Sequence, residues 1–372
     1  MAKNTFGSSI TVTLFGESHG AQIGAVLDGL APGIPVSEVY IAARLSRRRP
    51  SGAISTKRVE PDNFKIVSGV FNGFTTGTPL CILIPNENTK SGDYEATRAL
   101  ARPGHADYTA YCKYHGFEDY RGGGHFSGRL TAPLVAAGAV AMYALEQKGI
   151  RIGTHIARCA QIADRAFGDL ERDLTFLQES QFAVLDPEAA DKMRAAMKAA
   201  AEDGDSVGGV LETSVTGMPA GVGEPFFDSL ESVLAHAMFS IPAVKGVEFG
   251  DGFALADGRG SQTNDSFAMQ DDRIVTRTNH NGGINGGISN GMPILFRCAV
   301  KPTPSIYREQ ETVDFLQGRD RKILIKGRHD PAIVHRAVVV ADCVTALVLC
   351  DMLTQRFGTD YLGPSRATSL EV

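Results

Sequence analysis

Four histidines in glycine-bearing segments are the first candidates for chemistry in this sequence. An imidazole changes charge near neutral pH, so histidine is the usual general acid or base. A single histidine is also often a structural group whose nitrogens bond to neighbouring polar atoms. No His-x-x-x-His or paired Cys/His spacing occurs, and we therefore expect no metal site. The four candidates are His19, His105, His125 and His329.

Arginines form the second group of candidates. Guanidinium groups bind phosphate and carboxylate through paired hydrogen bonds, so convergent arginines favour a small polyanionic ligand. For the run at the end of a predicted helix, the alternative is a solvated helix end whose cations offset the dipole. That run is Arg44, Arg47, Arg48 and Arg49, and the glycine-bearing loops add Arg102, Arg121, Arg129 and Arg328.

Glycine is abundant and clustered. The densest clusters are Gly122–Gly124 and the stretch from Gly282 to Gly291. Glycine allows backbone N–H groups to approach an anion or a flat ligand closely, although tight turns use the same residues. Neither cluster contains Gly-x-Gly-x-x-Gly, and the chain has no Gly-x-x-x-x-Gly-Lys-Ser/Thr. The two commonest nucleotide-binding motifs are therefore excluded.

Composition places the chain among soluble globular proteins. It has 372 residues, 43% of them hydrophobic and 21% charged, with a formal net charge of -5. This charge argues against a nucleic-acid module built on the arginine run, which also lacks interleaved aromatic residues. The start has no apolar signal segment, and the apolar stretches 130–145 and 337–353 are interpreted as buried helices, so no membrane association is expected. Six scattered cysteines indicate reduced core thiols and a cytoplasmic protein.

Strand-like and helical segments alternate along the chain, which predicts the α/β (α+β) class and one compact domain. Two helices carry clear start signals: Ser37 as a cap, and Asp186 followed by proline. Predicted strands are Ile10–Phe15, Ala25–Leu27, Lys65–Val70, Leu80–Ile84, Val207–Val215, Val244–Phe249 and Met292–Val300. Predicted helices follow Ser37, span Thr131–Gln147, run from Asp186 to Gly204, cover Phe226–Phe239, and extend from about Pro331 to Phe357.

From residue types alone, the sequence predicts an enzyme that handles a small phosphorylated or polycarboxylate substrate with histidine and arginine. An arginine-rich phosphate-ester binder or transferase remains an alternative. Nothing in the spacing or composition indicates a flavin.

Ordered motifs along nearly the whole chain resemble those of the chorismate synthase family. The match begins with Phe15-Gly-Glu-Ser-His-Gly20 and continues to Gly33. The following segments are Arg47-Arg-Arg-Pro50, 62–78, Arg102-Pro-Gly-His-Ala-Asp107, Asp119-Tyr-Arg-Gly-Gly-Gly124, Val244-Lys-Gly-Val-Glu248, 282–291, Lys301-Pro-Thr303 and Gly327-Arg-His-Asp-Pro331.

The resemblance implies a β-α-β sandwich, one domain over residues 1–365 with a tail at 366–372, and a homotetramer. It implies 5-enolpyruvylshikimate 3-phosphate as substrate and a 1,4-anti elimination of phosphate that gives chorismate. The implied cofactor is reduced FMN, with NADPH acting only indirectly. Because the chain has no room for a reductase domain after its last helix, we expect a monofunctional carbon–oxygen lyase supplied by an external flavin reductase.

The resemblance also assigns roles to individual residues. It implies that His105 protonates the departing phosphate, that His19 acts at the reduced flavin, and that Asp330 with Ser127 assists hydrogen removal. Implied substrate contacts are Arg48, Arg49, Arg129 and Arg328. Implied flavin or NADPH contacts are Arg48, His125, Phe126, Ser127, Gly286, Lys301, Pro302, Thr303, Pro304, Ser305 and Arg328.

Several positions depart from the pattern common in the family. His125 stands where an arginine is common and cannot supply a guanidinium fork. Ile54 also replaces an arginine, and Pro242 replaces an asparagine beside the flavin. On the last helix, Asp342 replaces a glutamate and His335 a proline.

Overall fold

Two five-stranded antiparallel sheets enclose a layer of helices. The computed structural model describes residues 4–50, 61–87, 98–325 and 329–364. In the first sheet the strand order is β1-β2-β3-β7-β4. Leu80, Ile82 and Ile84 are buried at alternate positions, as expected for a strand with one face on the core. The strands are β1 (Thr5–Phe6), β2 (Thr11–Gly16), β3 (Gln22–Asp28), β4 (Lys65–Ser68) and β7 (Leu80–Pro85), with the small hairpin β5 (Val70–Phe71) and β6 (Phe74–Thr75) between the last two.

The second sheet has the order β11-β16-β10-β8-β9. Its central strand β10 pairs with β16 in a register that sets Leu211 opposite Cys298. The strands are β8 (Arg151–Cys159), β9 (Ile162–Ala163), β10 (Gly209–Thr216), β11 (Val244–Phe249) and β16 (Ile294–Val300). Three hairpins lie outside both sheets: β12 (Phe267–Gln270) with β13 (Arg273–Thr276), β14 (Ile284–Asn285) with β15 (Ile288–Ser289), and β17 (Gln310–Asp314) with β18 (Arg319–Ile323).

Two apolar helices, α3 (Thr131–Glu146) and α8 (Val334–Phe357), form the middle layer. They pack on each other, α3 also contacts β3 and β7, and α8 also contacts β8 and β10. Gly138 permits this close approach, since a Cβ there would lie 2.4 Å from Cβ of Cys343. The helical stretch Gly128–Glu146, which contains α3, and α8 are long and apolar enough to cross a membrane, yet 89% and 94% of the residues in their 18-residue apolar windows are buried inside the fold. The predicted β-α-β sandwich and its buried helices are confirmed.

The remaining helices lie around this sandwich, and their caps match the predicted signals. The Ser37 side chain accepts the N–H of Tyr40, and the Asp186 side chain accepts that of Glu188. The helix predicted to start at Phe226 instead begins after Ser229, which caps it through the N–H of Ser232. The helices are α1 (Glu38–Arg48), α2 (Asp107–Tyr114), α4 (Leu170–Glu179), α5 (Pro187–Glu202), α6 (Leu230–Ser240) and the short α7 (Gly260–Thr263).

Other differences from prediction have local causes. The predicted strand 65–70 is interrupted at Gly69, whose positive φ of +80° ends the extended backbone. Strand β8 was missed because buried Thr154 and His155 obscure its apolar alternation. All six cysteines are free thiols, as predicted, although Cys112 is exposed rather than in the core. The predicted tail 366–372 lies outside the described residues.

One buried carboxylate links the two ends of the described chain. Asp351 of α8 accepts the backbone N–H groups of Ser8, Ser9 and Ile10 at 2.7–3.0 Å. It is only 2% exposed. These three bonds hold the segment that enters β2 against the last helix.

Candidate active site

A cavity of about 1020 Å³ opens beside the helix layer. Three irregular segments form much of its wall: the loop before α2, the glycine-rich turn before α3, and the loop after β16. Its apolar side includes Leu134 of α3 and Leu347 of α8. Another part is charged, with the cations of Arg102 and Lys301 and the carboxylates of Asp107, Glu118 and Asp119. Such a combination of apolar wall and few charged groups is typical of a small-molecule site.

His105 lies in this wall and contacts the loop after β16. Its Nε2 is 2.6 Å from Oγ of Ser305. Nζ of Lys301 donates to the Gly104 carbonyl at 2.7 Å. Gly104 allows the two loops to pack, because a Cβ there would lie 2.8 Å from Cβ of Pro304 at a φ of +73°.

The electrostatic surroundings keep His105 neutral in the free protein. Burial and the Arg102 charge lower the pKa of His105 to about 4, against the opposing effect of Asp107. Arg102 is itself held by Asp107 through Nε at 2.8 Å and Nη2 at 2.7 Å. An anionic ligand beside Arg102 and Lys301 would offset these cations and favour the imidazolium form.

His329 lies near Arg102 and His105, and the family resemblance assigned no role to it. Its ring centroid lies 5.6 Å from that of Tyr307. Burial and the Arg102 charge lower the pKa of His329. Within the described part of the chain its buried Nε2 has no hydrogen-bond partner.

His19 lies directly behind the glycine-rich turn. Its Nδ1 is 3.0 Å from Oγ of Ser18, and a Cβ at Gly122 would stand 2.1 Å from its ring. Gly122 has a φ of +60° and lines the cavity, so a glycine separates the imidazole from the cavity space. His125 fixes the same turn, with Nδ1 2.8 Å from the Gly16 carbonyl oxygen.

Arg48 and Arg129 converge on one buried carboxylate. Nη2 of Arg48 donates to Asp62 Oδ2 at 3.1 Å, and Nη1 of Arg129 donates to Asp62 Oδ1. Asp62 is 1% exposed and has a φ of +49°, which aspartate tolerates better than most residues. Neither arginine lines the cavity, but Thr131, 3.5 Å from Nη1 of Arg48, does. Asp62 is the first residue of the family segment 62–78, but no role was predicted for it, and its pairing with two arginines was not predicted either.

Asp330 joins this group through Arg336. Nη1 of Arg336 donates to Asp330 Oδ2 at 2.6 Å, and its Nε donates to the Arg48 carbonyl at 2.7 Å. Asp330 also follows His329 directly. Hydrogen bonds therefore connect Asp62 and Arg48 with Asp330, and the Arg102 charge acts on both His105 and His329.

Most of the predicted flavin contacts lie in the cavity wall or next to it. His125, Phe126, Ser127, Lys301, Thr303 and Pro304 line the cavity, as does Pro242. Ser127 also caps the following turn, where Oγ accepts the N–H of Arg129 at 3.3 Å. Ser305 and Pro302 are not part of the wall but are neighbours in sequence of Pro304 and Lys301, which are. Ser305 contacts His105 of the wall.

Some predicted residues lie elsewhere. Gly286 is in the turn between β14 and β15, away from the cavity wall, with open space where a Cβ would stand. Arg49 ends α1 half-buried, and its N–H bonds to Ser46 O. Arg328 and Ile54 lie outside the described residues. In the described ranges, no group of three His, Cys, Asp or Glu side chains could hold a metal ion.

Asp342 and His335, the two residues of α8 that depart from the family pattern, are buried away from the cavity wall. Asp342 lies 3.8 Å from Nη1 of Arg47, and burial raises the pKa of its carboxyl. His335 is 5% exposed, and burial lowers its pKa to about 4. Both therefore belong to the core of the helix layer.

The fold and the cavity define an α/β enzyme with a histidine-bearing site for a small molecule, whose wall carries both basic and acidic side chains. The chorismate synthase family model matches residues 10–354. The chain belongs to the chorismate synthase family, and the formation of chorismate in the shikimate pathway, a lyase reaction, is its function.

Relatives at substantial identity cover nearly the whole chain. A chorismate synthase of Pyrococcus abyssi is 48% identical over 350 residues, which are 94% of this chain and 97% of that protein. One of Methanosarcina mazei is 47% identical over 352 residues, 94% of this chain and 96% of that protein. A solved structure described as a crystal structure of chorismate synthase superposes with a TM-score of 0.75 at 30% identity, covering 95% and 94% of the two chains.

Proposed function

We propose that this chain carries out a reduced-FMN-dependent 1,4-anti elimination of phosphate from 5-enolpyruvylshikimate 3-phosphate. The observation that carries the proposal is the position of His105 in the cavity wall, near Arg102 and Lys301 and 2.6 Å from Ser305. A phosphate needs fixed cations and a proton donor when it leaves, and this set supplies both. The substrate's two carboxylates account for the need for further cations.

The residues of the cavity fit a flavin. Oγ1 of Thr303 is buried and has no hydrogen-bond partner in the described part of the chain. This wall therefore holds an unsatisfied polar group to which a ligand can form a hydrogen bond. The exposed ring of Phe126, also in the wall, offers a flat apolar surface. When bound, reduced FMN would supply the transient electron density that weakens the C–O bond and would accept the C6 hydrogen.

The chain's own residues would bind, orient and move protons. His105 would become protonated when the substrate phosphate offsets Arg102 and Lys301, and would then donate its proton to the departing phosphate. His19 would stabilise the anionic reduced flavin across Gly122. Asp330, with Ser127, would assist removal of the hydrogen, and Arg48, Arg49, Arg129 and Arg328 would hold substrate anions. His125, Pro302, Pro304, Ser305 and Gly286 remain proposed flavin contacts.

The flavin requirement is tested by an anaerobic assay of phosphate release from 5-enolpyruvylshikimate 3-phosphate. We expect turnover with reduced FMN and none with oxidised FMN or without flavin. Substrate binding should also perturb the absorbance of oxidised FMN in the presence of the protein. Equal phosphate release with and without flavin would contradict the proposal and favour a flavin-independent phosphate-ester enzyme.

We also propose a monofunctional enzyme that depends on an external flavin reductase, with NADPH only an indirect reductant. Support comes from the described sheets, in which every pairing is antiparallel, whereas dinucleotide-binding folds use parallel strands. Aerobic turnover by the purified protein with FMN and NADPH alone would contradict this proposal.

A homotetramer is proposed as the working assembly, and the cytoplasm as its location. The assembly is supported by large apolar side chains on the surface of this one chain, including Phe226 and Phe227 at 85% and 93% exposure and Met269 at 68%. The location is supported by the six free thiols. Light scattering coupled to size exclusion should give four times the mass of the chain, and a monomer mass would refute the assembly.

A further inference from the structure

Arg336 joins two separate elements of the candidate site through one planar group. Its Nη1 donates to Oδ2 of Asp330 at 2.6 Å, while its Nε donates to the backbone carbonyl of Arg48 at 2.7 Å. The side chains of Arg336 and Asp330 are 16% and 7% exposed. The ion pair is therefore largely shielded from solvent, where charge-assisted hydrogen bonds are strong.

Helix stability does not account for a cation at this position. Arg336 lies in the first turn of α8, where the helix dipole disfavours positive charge. Its two acceptors explain the position better. The Arg48 carbonyl is one of the last four of α1, which lie beyond the regular hydrogen-bond pattern of a helix, and here it accepts the Nε–H of Arg336. This bond fixes the guanidinium plane and directs Nη1 at the carboxylate.

We propose that Arg336 is a positioning residue that holds Asp330 in its working orientation, using the end of α1 as its support. The inference rests on the proposed role of Asp330 in hydrogen removal. Asp330 stands on a loop four residues before α8, and a catalytic group on a loop needs supporting contacts to lock its rotamer. A lysine would carry the same charge as Arg336, but its single ammonium does not reproduce a planar fork between two fixed acceptors.

The test compares Arg336→Gln with Arg336→Lys in steady-state turnover with reduced FMN. We expect kcat of Arg336→Gln to fall by about tenfold to hundredfold, because a small displacement of a reacting group has effects of that size. KM should change less than about threefold, and Arg336→Lys should recover part of kcat. Calorimetric binding of the substrate to the flavin-free variants should match the wild-type protein, since Arg336 is not proposed to touch the ligand.

A double-variant cycle identifies the group through which Arg336 acts. Asp330→Asn alone should reduce kcat strongly, and adding Arg336→Gln should then cost less than about threefold more, because residues that act as a unit are not additive. Arg356→Gln is the matched control: it lies on the same helix and its Nε donates to the Gly221 carbonyl at 3.1 Å, outside the site. It should leave kcat unchanged.

Additive losses in the Asp330→Asn background would overturn the inference, as would a loss of kcat in Arg336→Gln that only follows a fall in melting temperature. If Arg336→Gln fails to fold, Arg336→Lys takes its place in the cycle with Asp330→Asn, and additivity is judged in the same way. Failure of the wild-type protein to release phosphate with reduced FMN would remove the proposed function itself. An active wild type with an unaffected Arg336→Gln would remove only the role of Arg336.

Discussion

Nε2 of His105 lies 2.6 Å from Oγ of Ser305, although 200 positions separate the two residues in the chain. The Ser305 hydroxyl belongs to the loop that also carries Lys301 and Thr303, and it fixes the imidazole ring of His105 in the cavity wall. The histidine proposed to transfer a proton and the loop proposed to contact the flavin are thereby held in one arrangement. The predictions that follow concern this arrangement and its supports.

His105→Ala should lower kcat by about 10²–10⁴-fold while changing substrate affinity only slightly, because a proton donor acts mainly in the transition state. Single-turnover phosphate release and calorimetric substrate binding measure the two effects separately. His280→Ala, at a histidine that bonds Asp251 and does not line the cavity, is the control and should change neither. Equal losses in rate and affinity would make His105 a binding residue instead.

The pKa of His105 should respond to Arg102. In the wild-type protein it lies at about 4, below the ordinary 6.5, so the ring is neutral at pH 7 and charges only in acid. Burial, the larger cause, remains in Arg102→Gln, but the variant loses a cation that disfavours the imidazolium and keeps Asp107, so the pKa should rise toward 6.5 without reaching it. Titration of the imidazole by NMR provides the measurement. Saturating the wild-type protein with inorganic phosphate should move the pKa in the same direction, and no movement in either experiment would contradict the electrostatic explanation.

Asp62→Asn should destabilise the fold by about 3–5 kcal/mol, because it leaves Arg48 and Arg129 buried without their shared carboxylate. Asparagine also tolerates the positive φ of this position, so the backbone is not the cause. Urea denaturation gives the free energy of unfolding. Asp191→Asn removes the exposed partner of Arg194 and should change that free energy by less than about 0.5 kcal/mol. Similar small effects of both variants would show that the Asp62 pairs contribute little.

Gly122→Ala should lower the free energy of unfolding and should also displace the His19 ring. The new methyl would stand 2.1 Å from the His19 ring and would also impose a side chain at a φ of +60°. Gly149→Ala separates the two effects, since it has a φ of +73° but nothing within 4 Å of its Cβ position. We expect about 1 kcal/mol for the backbone effect alone. Gly122→Ala should cost clearly more and lower turnover, and equal effects of the two variants in stability and rate would exclude the contact.

Local signals were sufficient for much of the fold. Ser37 and Asp186 mark helix starts through side-chain caps that need only neighbouring residues. Apolar alternation likewise predicted β7 and β16. Prediction failed where tertiary burial replaces the local pattern, as in β8, whose buried Thr154 and His155 bond to partners on other segments.

The sequence could name candidate residues for the site but not the contacts among them. Motif resemblance identified His105, Arg48, Arg129 and Asp330, because each stands in a segment typical of the family. It did not predict that Asp62 would pair with two arginines or that Arg336 would connect Asp330 with α1. Those contacts join segments up to 288 positions apart and depend on the packed sandwich.

The bonds from Asp351 to Ser8, Ser9 and Ile10 span up to 343 positions and have a consequence for biogenesis. During translation the segment leading into β2 emerges first, but its acceptor is made only near the end of synthesis. The central helix layer is incomplete until that moment, since α8 is half of it. Contacts of such long range slow folding, and a nascent chain halted before α8 lacks the helix that packs on β8 and β10, so we expect the inner face of the second sheet to need chaperone protection at that stage.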